Sequence, residues 1–280
     1  MTSCGICAIR RFGVGIIYLS FIIHMTGCTT PAKNQPLPQT DAPDKHWTGN
    51  LDLLQTDPLA VLKAVADRAD KLPAYRMLFI RQERRGLANT LRPPEHIRAT
   101  FRADPFSVKF QWLDEDSSYT DAVYVAGQHD NKLRVRQRKG LFGLPPATLN
   151  LNPMDTVTLG ASRNPITDFG LARLIQRALG SVDVAKEHGG ATAVYAGIHD
   201  LPDIAVQAHR IDLTYPKAPG ITYQQVKIHI DQKSHLPAGA HLFLPDGELS
   251  AVYQYGQFDL HPNLTDADFD ITPPKNPNPD

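Results

Sequence analysis

The sequence predicts a mostly β fold with helices, of the α+β class: a curved antiparallel sheet or half-open β-barrel with helices packed in its mouth. Three observations predict it. Many short strand-like segments follow one another through hairpin turns, only two substantial stretches repeat with helical spacing, and the two kinds of element do not alternate as parallel units would require. The 280 residues carry 29 basic and 29 acidic side chains, with 42% hydrophobic and 21% charged residues. That is globular composition, and a formal charge of zero argues against a nucleic-acid binder working through a basic surface.

The chain begins with a targeting pattern. Arg10 and Arg11 precede an apolar run from Phe12 to Ile23, followed by His24, Met25, Thr26, Gly27 and Cys28. A run of about twelve residues is too short for a transmembrane helix, which needs about twenty. Basic residues, a short apolar stretch and then small residues make a secretory signal peptide over residues 1–27. A cysteine directly after this pattern resembles the lipobox of bacterial lipoproteins, in which the thiol is acylated and Cys28 becomes the first mature residue. Met25 stands where Leu is commoner. All three cysteines (Cys4, Cys7 and Cys28) lie within this segment, so the body has no disulfide. Acyl chains contribute about 0.8 kcal/mol per buried methylene, so several together anchor durably. Thr29 stands where Asp favours inner-membrane retention in such lipoproteins, which implies an outer-membrane, periplasm-facing location.

Losing Arg10 and Arg11 leaves 27 of the 29 basic residues against 29 acidic ones. Pro31, Pro36, Pro38 and Pro43 among polar residues give residues 28–50 the composition of a tether, about 25 Å long as a flexible coil. One domain over residues 51–272 is the economical reading, with residues 273–280 as a frayed Pro/Asn tail.

Within the body, Asp57 and Pro58 supply a cap and a first helical position. Leu59, Leu62, Val65, Ala66, Ala69 and Leu72 then recur at helical spacing until Pro73. From there the period changes to two. Residues 96–102 alternate, Ala103-Asp104-Pro105 turns, and Phe106, Val108, Phe110 and Trp112 face one way while Ser107, Lys109 and Gln111 face the other. Strands over 122–128 and 132–138 flank His129-Asp130-Asn131. Gly, Pro and Asn across 141–155 imply an irregular loop. Asn164 and Pro165 open a second helix through Ile166, Phe169, Ala172, Leu174, Ile175 and Ala178 to Gly180. Later strands cover 207–215, 222–231 and 241–244, and 249–258 follows through Pro245-Asp246-Gly247. No fixed-period repeat is evident.

No catalytic constellation emerges. There is no phosphate-binding Gly-rich loop in the body, no Ser-x-x-Lys, and Gly160-Ala161-Ser162-Arg163-Asn164 lacks the final Gly of a nucleophile elbow. Asp266, Asp268 and Asp270 begin like a calcium loop, but Ile271 stands where its turn needs Gly and Pro277 where a Glu should close it. Among eleven histidines, His229, His235 and His241 invite a metal reading; Pro237 and Gly239 are expected to break any strand carrying all three. The expectation is therefore a protein that is not an enzyme and holds neither metal nor cofactor.

Two features rise above this background. Lys132, Arg134, Arg136 and Arg138 share one strand face, a cationic line that attracts an acidic partner or headgroup unless neighbouring acids balance it. Phe106, Phe110 and Trp112, with Met77 and Phe79 on another strand, form an aromatic face. If the sheet closes over packed side chains this face is core; if it half closes, these five residues line a cavity for acyl chains.

The strings at Tyr75–Glu83, Arg92–Leu113, Val123–Val135 and Ala161–Ile175 resemble the bacterial family DUF1571. That family is similar in fold to the periplasmic lipoprotein carrier LolA and its outer-membrane receptor LolB, half-open barrels closed by helices over a hydrophobic cavity for acyl chains. Asp268 to Pro273 resembles the final strand of such carriers. The resemblance implies a lipid-anchored protein whose partners are the membrane and a lipid or lipoprotein acyl chain. The alternative is an envelope interaction protein using its cationic outer face.

Overall fold

The structure is a computed structural model that describes residues 51–86, 88–139 and 146–271. The expected signal peptide, Cys28, the tether and the tail at 273–280 lie outside the described residues. Two helices open the described chain, α1 (Leu51–Thr56) and α2 (Pro58–Asp70). Asp57 caps α2 as its sequence demands, its carboxylate accepting from the Ala60 amide at 3.0 Å.

The strands then run in order: β1 (Ala74–Arg85), β2 (Thr90–Leu91), β3 (Glu95–Arg102), β4 (Ser107–Trp112), β5 (Tyr119–Val125), β6 (Leu133–Gln137) and β7 (Thr148–Leu151). After α3 (Asp155–Thr158) and α4 (Arg173–Ala185) come β8 (Thr192–Leu201), β9 (Val206–Thr214), β10 (Gln225–Asp231), β11 (Pro237–Phe243) and β12 (Leu249–Asp259). They form one 12-stranded antiparallel sheet ordered β7-β6-β5-β4-β3-β1-β12-β11-β10-β9-β8, with the short β2 paired to β1 off that path. The sheet is open, with β7 and β8 as its edges. It is two meanders joined where β1 pairs with β12, Phe79 lying opposite Tyr255 and Arg81 opposite Tyr253.

The chain passes from one edge to the other through α3 and α4, and α4 lies against α2 on the inner face of the sheet. Val61, Leu62, Val65 and Ala66 of α2 and Ile175, Ala178 and Val182 of α4 share a core with Ile211, Leu213, Val226, Ile228 and Ala240. The helices therefore fill the half of the half-barrel under β8–β11. Two buried tyrosine hydroxyls tie them down: Tyr75 accepts from the Leu171 amide at 3.0 Å, and Tyr215 donates to the Ala178 carbonyl at 3.0 Å. Burial raises the pKa of both phenols.

Several boundaries differ from the sequence expectation. The second helix does not start at Pro165. A short 3-10 turn spans Ile166–Asp168, Phe169 is extended, and the α-helix begins at Arg173 and runs through Gly180 to Ala185. Phe169 breaks the helical run because its ring packs against Phe79 and Phe110, with centroids 5.6 and 4.8 Å away. Part of the expected irregular loop is the edge strand β7, and β8 lies in a stretch with no clean alternation. As expected, no single strand carries His229, His235 and His241, but the break is the β10–β11 turn: Pro237 is the first residue of β11 and Gly239 lies beside a bulge, positions that tolerate them. Gly239 has φ +146, and a Cβ there would sit 2.1 Å from the Tyr253 carbonyl oxygen, so only glycine lets β11 approach β12 so closely.

Residues after β12 cross the outer face. Phe269 and Ile271 pack against Val123 and Val125, and Asp266–Phe269 is a 3-10 turn, where the sequence resembled a closing strand. Its acids fan out to three strands: Asp268 to Arg76 at 2.6 Å, Asp266 to Arg102 at 2.9 Å and Asp270 to Arg134 at 3.5 Å. Those pairings, not a shared cation, explain the acidic spacing. Burial works against the Asp268 charge, but hydrogen bonds from Thr265 and the Arg76 guanidinium overcome it and hold that carboxyl below its ordinary range.

Candidate functional site

The other half of the half-barrel is not filled by helices. A cavity of about 700 Å³ lies over β1, β4–β7 and β12, roofed by residues 156–177. Its base is aromatic because the inner-face residues of four consecutive neighbours coincide in register. Phe79 stands opposite Ile97 and Tyr255, Ala99 opposite Phe110, and Ile97 opposite Trp112. The rings form a connected patch: Phe79 lies 5.9 Å from Phe110 and 5.4 Å from Tyr255, and Phe110 lies 6.2 Å from Trp112. Leu133, Val135 and Leu151 continue the apolar wall toward the β7 edge.

Of the five aromatic-face residues, Phe79, Phe110 and Trp112 line this cavity, whereas Met77 and Phe106 do not. Met77 is fully buried in the helix-packed core, and Phe106 spends its ring on Phe101 and Tyr124, at 5.7 and 6.1 Å. Sequence reasoning missed Tyr253, Tyr255 and Phe169. The tyrosines alternate within an expected strand, which placed them on one face but not on the face across from Phe79.

It also missed a polar end. The inner face of β1 runs Tyr75, Met77, Phe79 and then Arg81, Glu83 and Arg85, so the period-two pattern carries three charges into the interior. Arg81 donates to Glu95 at 2.8 and 2.9 Å, Arg85 to Glu95 at 3.0 Å and to the Ala161 carbonyl, and Tyr253 donates its hydroxyl to Glu83 Oε1 at 2.6 Å. Burial lowers the Arg81 pKa, but the carboxylates of Glu83 and Glu95 outweigh it and leave that guanidinium above its usual value. Burial and then the Glu83 charge push the Tyr253 phenol well above its ordinary pKa.

The cationic line is a paired outer surface. Lys132 bonds Asn152 Oδ1, Arg134 faces Asp270, Arg136 lies 4.0 Å from Asp121, and Arg138 donates to the Ser117 and Asp114 carbonyls at 2.9 Å. On the outer face of the second meander, His229 and His241 lie 5.1 Å apart and His199 is 6.5 Å from His229, while His235 belongs to the β10–β11 turn. Among the described residues, no group of three His, Cys, Asp or Glu side chains is placed to hold a metal ion, and no helix is long and apolar enough to cross a membrane.

Fold and cavity define the class: an open antiparallel half-barrel, half filled by helices and half hollow. The chain belongs to the DUF1571 family, described as a protein of unknown function, whose model matches residues 72–279. No curated protein matches the sequence. Among solved structures it is similar to MucB, with 11% identity and a TM-score of 0.45 over 77% of this chain and 63% of that one; a related structure holds the MucA/MucB complex of Pseudomonas aeruginosa. It is also similar to the Mycobacterium tuberculosis lipoprotein LppX, at 16% identity, a TM-score of 0.42, and 75% and 100% coverage of this chain and that one. A LolA superfamily protein from Nitrosomonas europaea is similar at 11% identity and a TM-score of 0.31, over 75% of this chain and 97% of that one.

Proposed function

We propose that this is a lipid-anchored binding protein of the bacterial outer membrane, facing the periplasm and holding a lipid, a lipoprotein acyl chain or another apolar ligand in its cavity. The observation that carries the reading is the cavity of about 700 Å³ with an aromatic base, a size and character that suit a ligand with a long apolar part. The lipobox-like pattern ending at Cys28 supports the anchor. Phe79, Phe110 and Trp112 are the contacts for the apolar part, and the protein acts by sequestering it from water rather than by chemistry.

The test is to purify residues 29–280 natively and extract them for mass spectrometry. Stoichiometric bound lipid, lowered at least tenfold by Phe110→Asp in a variant that still melts cooperatively, is the expected result. Folded protein with no bound lipid and no uptake of a fluorescent fatty acid would end the reading.

A further inference from the structure

The cavity's polar end has a defect that specifies a chemical group. Glu83 is 2% exposed, and its Oε2 has no hydrogen-bond partner among the described residues. The nearest cationic atoms are Arg85 Nε at 3.7 Å and Arg81 Nε at 4.0 Å, both beyond hydrogen-bond reach. Arg85 Nε is itself buried without a hydrogen-bond partner among the described residues. An orphan acceptor and an orphan donor thus sit 3.7 Å apart, buried within two residues that line a ligand-sized space. Buried polar groups left unpaired are costly, so each such pair calls for an account.

Charge narrows the choice. Arg81 and Arg85 balance Glu83 and Glu95, so the quartet is neutral, and a ligand bringing net charge would unbalance a largely buried site. An ammonium can donate to Glu83 but cannot accept from Arg85. A carboxylate can accept from Arg85 but cannot donate to Glu83. A hydroxyl does both. Trp112, another lining residue, has a buried indole N–H without a hydrogen-bond partner among the described residues, a donor suited to a neutral oxygen acceptor such as an ester carbonyl.

Building on the binding function above, we propose that the cavity selects an uncharged, hydroxyl-bearing amphiphile, whose hydroxyl bridges Glu83 Oε2 and Arg85 Nε while its chain lies on Phe79 and Phe110. The glyceride type, with hydroxyls and an ester carbonyl, has this chemistry.

The experiment uses natively purified, delipidated full-length protein and three probes of equal chain length: a monoacylglycerol, the fatty acid and its methyl ester. Each displaces a bound fluorescent acyl probe. The monoacylglycerol is expected to bind about tenfold more tightly than either of the others, the order of one hydrogen bond to a charged group. Glu83→Gln leaves the quartet with an excess positive charge, so the fatty acid should gain on the monoacylglycerol. Arg85→Gln, of opposite sign, should weaken the fatty acid further, and a melting curve for each variant separates lost selectivity from lost folding. Equal affinities for the three probes in the unaltered protein would overturn the inference while leaving the apolar cavity intact, with a water occupying the bridge. Binding of none of them overturns the cavity reading itself.

Discussion

Tyr253 is the residue on which the polar end turns. Its hydroxyl is the one hydrogen-bond donor to the Glu83 carboxylate among the described residues, and its ring stacks 6.2 Å from Phe79, so one side chain joins the charged and aromatic ends of the cavity. Tyr253→Phe keeps the ring and leaves both Glu83 oxygens short of donors. A loss of about 1.5–3 kcal/mol in urea unfolding is expected, the cost of a buried hydrogen bond to a charged group. His229 makes a separate residue-scale prediction. It is 4% exposed with both ring nitrogens unpartnered among the described residues, and burial, then the charges of His241, Arg210, His199 and Lys227, push its pKa down to about 3. The folded value lies below the unfolded one, so the unfolded chain takes up the proton first. Stability from this site is complete above an ordinary histidine pKa and falls as pH drops toward 3, by about 1.4 kcal/mol per pH unit. His209, His235 and His241 are lowered too, chiefly by burial, and add to the slope. His229→Leu should therefore flatten the decline of melting temperature between pH 6 and 4, as calorimetry across that range would register; an unchanged slope would remove His229 as its source.

At the scale of elements, local signals were legible wherever the sequence alone decides the geometry. Asp57-Pro58 fixed the start of α2 because capping needs only neighbouring residues, and Phe106 to Trp112 read as a strand because period two survives any tertiary setting. What failed needed contacts from far along the chain. Phe169 continues a helical pattern in sequence, yet its ring is held by Phe79 and Phe110, and that long-range contact overrides the run that Asn164-Pro165 opens in the sequence pattern. Gly239 looks like a strand breaker until β12 is beside it. The segment after β12 carries the element-scale prediction. Phe269 is 4% exposed against Val123 and Val125, with the Arg102 guanidinium 4.7 Å above its ring. Phe269→Ala should cost about 3–5 kcal/mol, as large-to-small changes of buried aromatics do. Because the segment covers the outer face, the cavity should keep its ligand affinity at temperatures where the variant is folded. A variant that loses ligand while still folded would place this segment in the binding function.

The whole molecule is asymmetric in a way its strand pattern does not disclose. Both meanders present apolar inner faces, so sequence alone left the aromatic face of β1 and β4 open between core and cavity lining. What separates the two readings is the path of the connection from β7 to β8. Its helix α4 joins α2 over β8–β11, leaving β4–β7 roofed by the stretch before it together with its first turn. The same substitution in the two halves should then have different consequences. Ala122 lies on the cavity floor, and Ala240 is fully buried in the helix-packed half. Ala122→Trp has empty volume to enter, so its unfolding free energy should stay within about 1 kcal/mol of the parent while acyl-probe binding falls at least tenfold. Ala240→Trp must displace packed side chains and should lose at least about 3 kcal/mol, the upper range for overpacked cores. Denaturation and probe titration on both variants measure the contrast directly. If Ala122→Trp destabilises as much as Ala240→Trp, the hollow half is packed in solution. If it folds normally and still takes up the probe, the ligand does not lie on the β4–β6 floor.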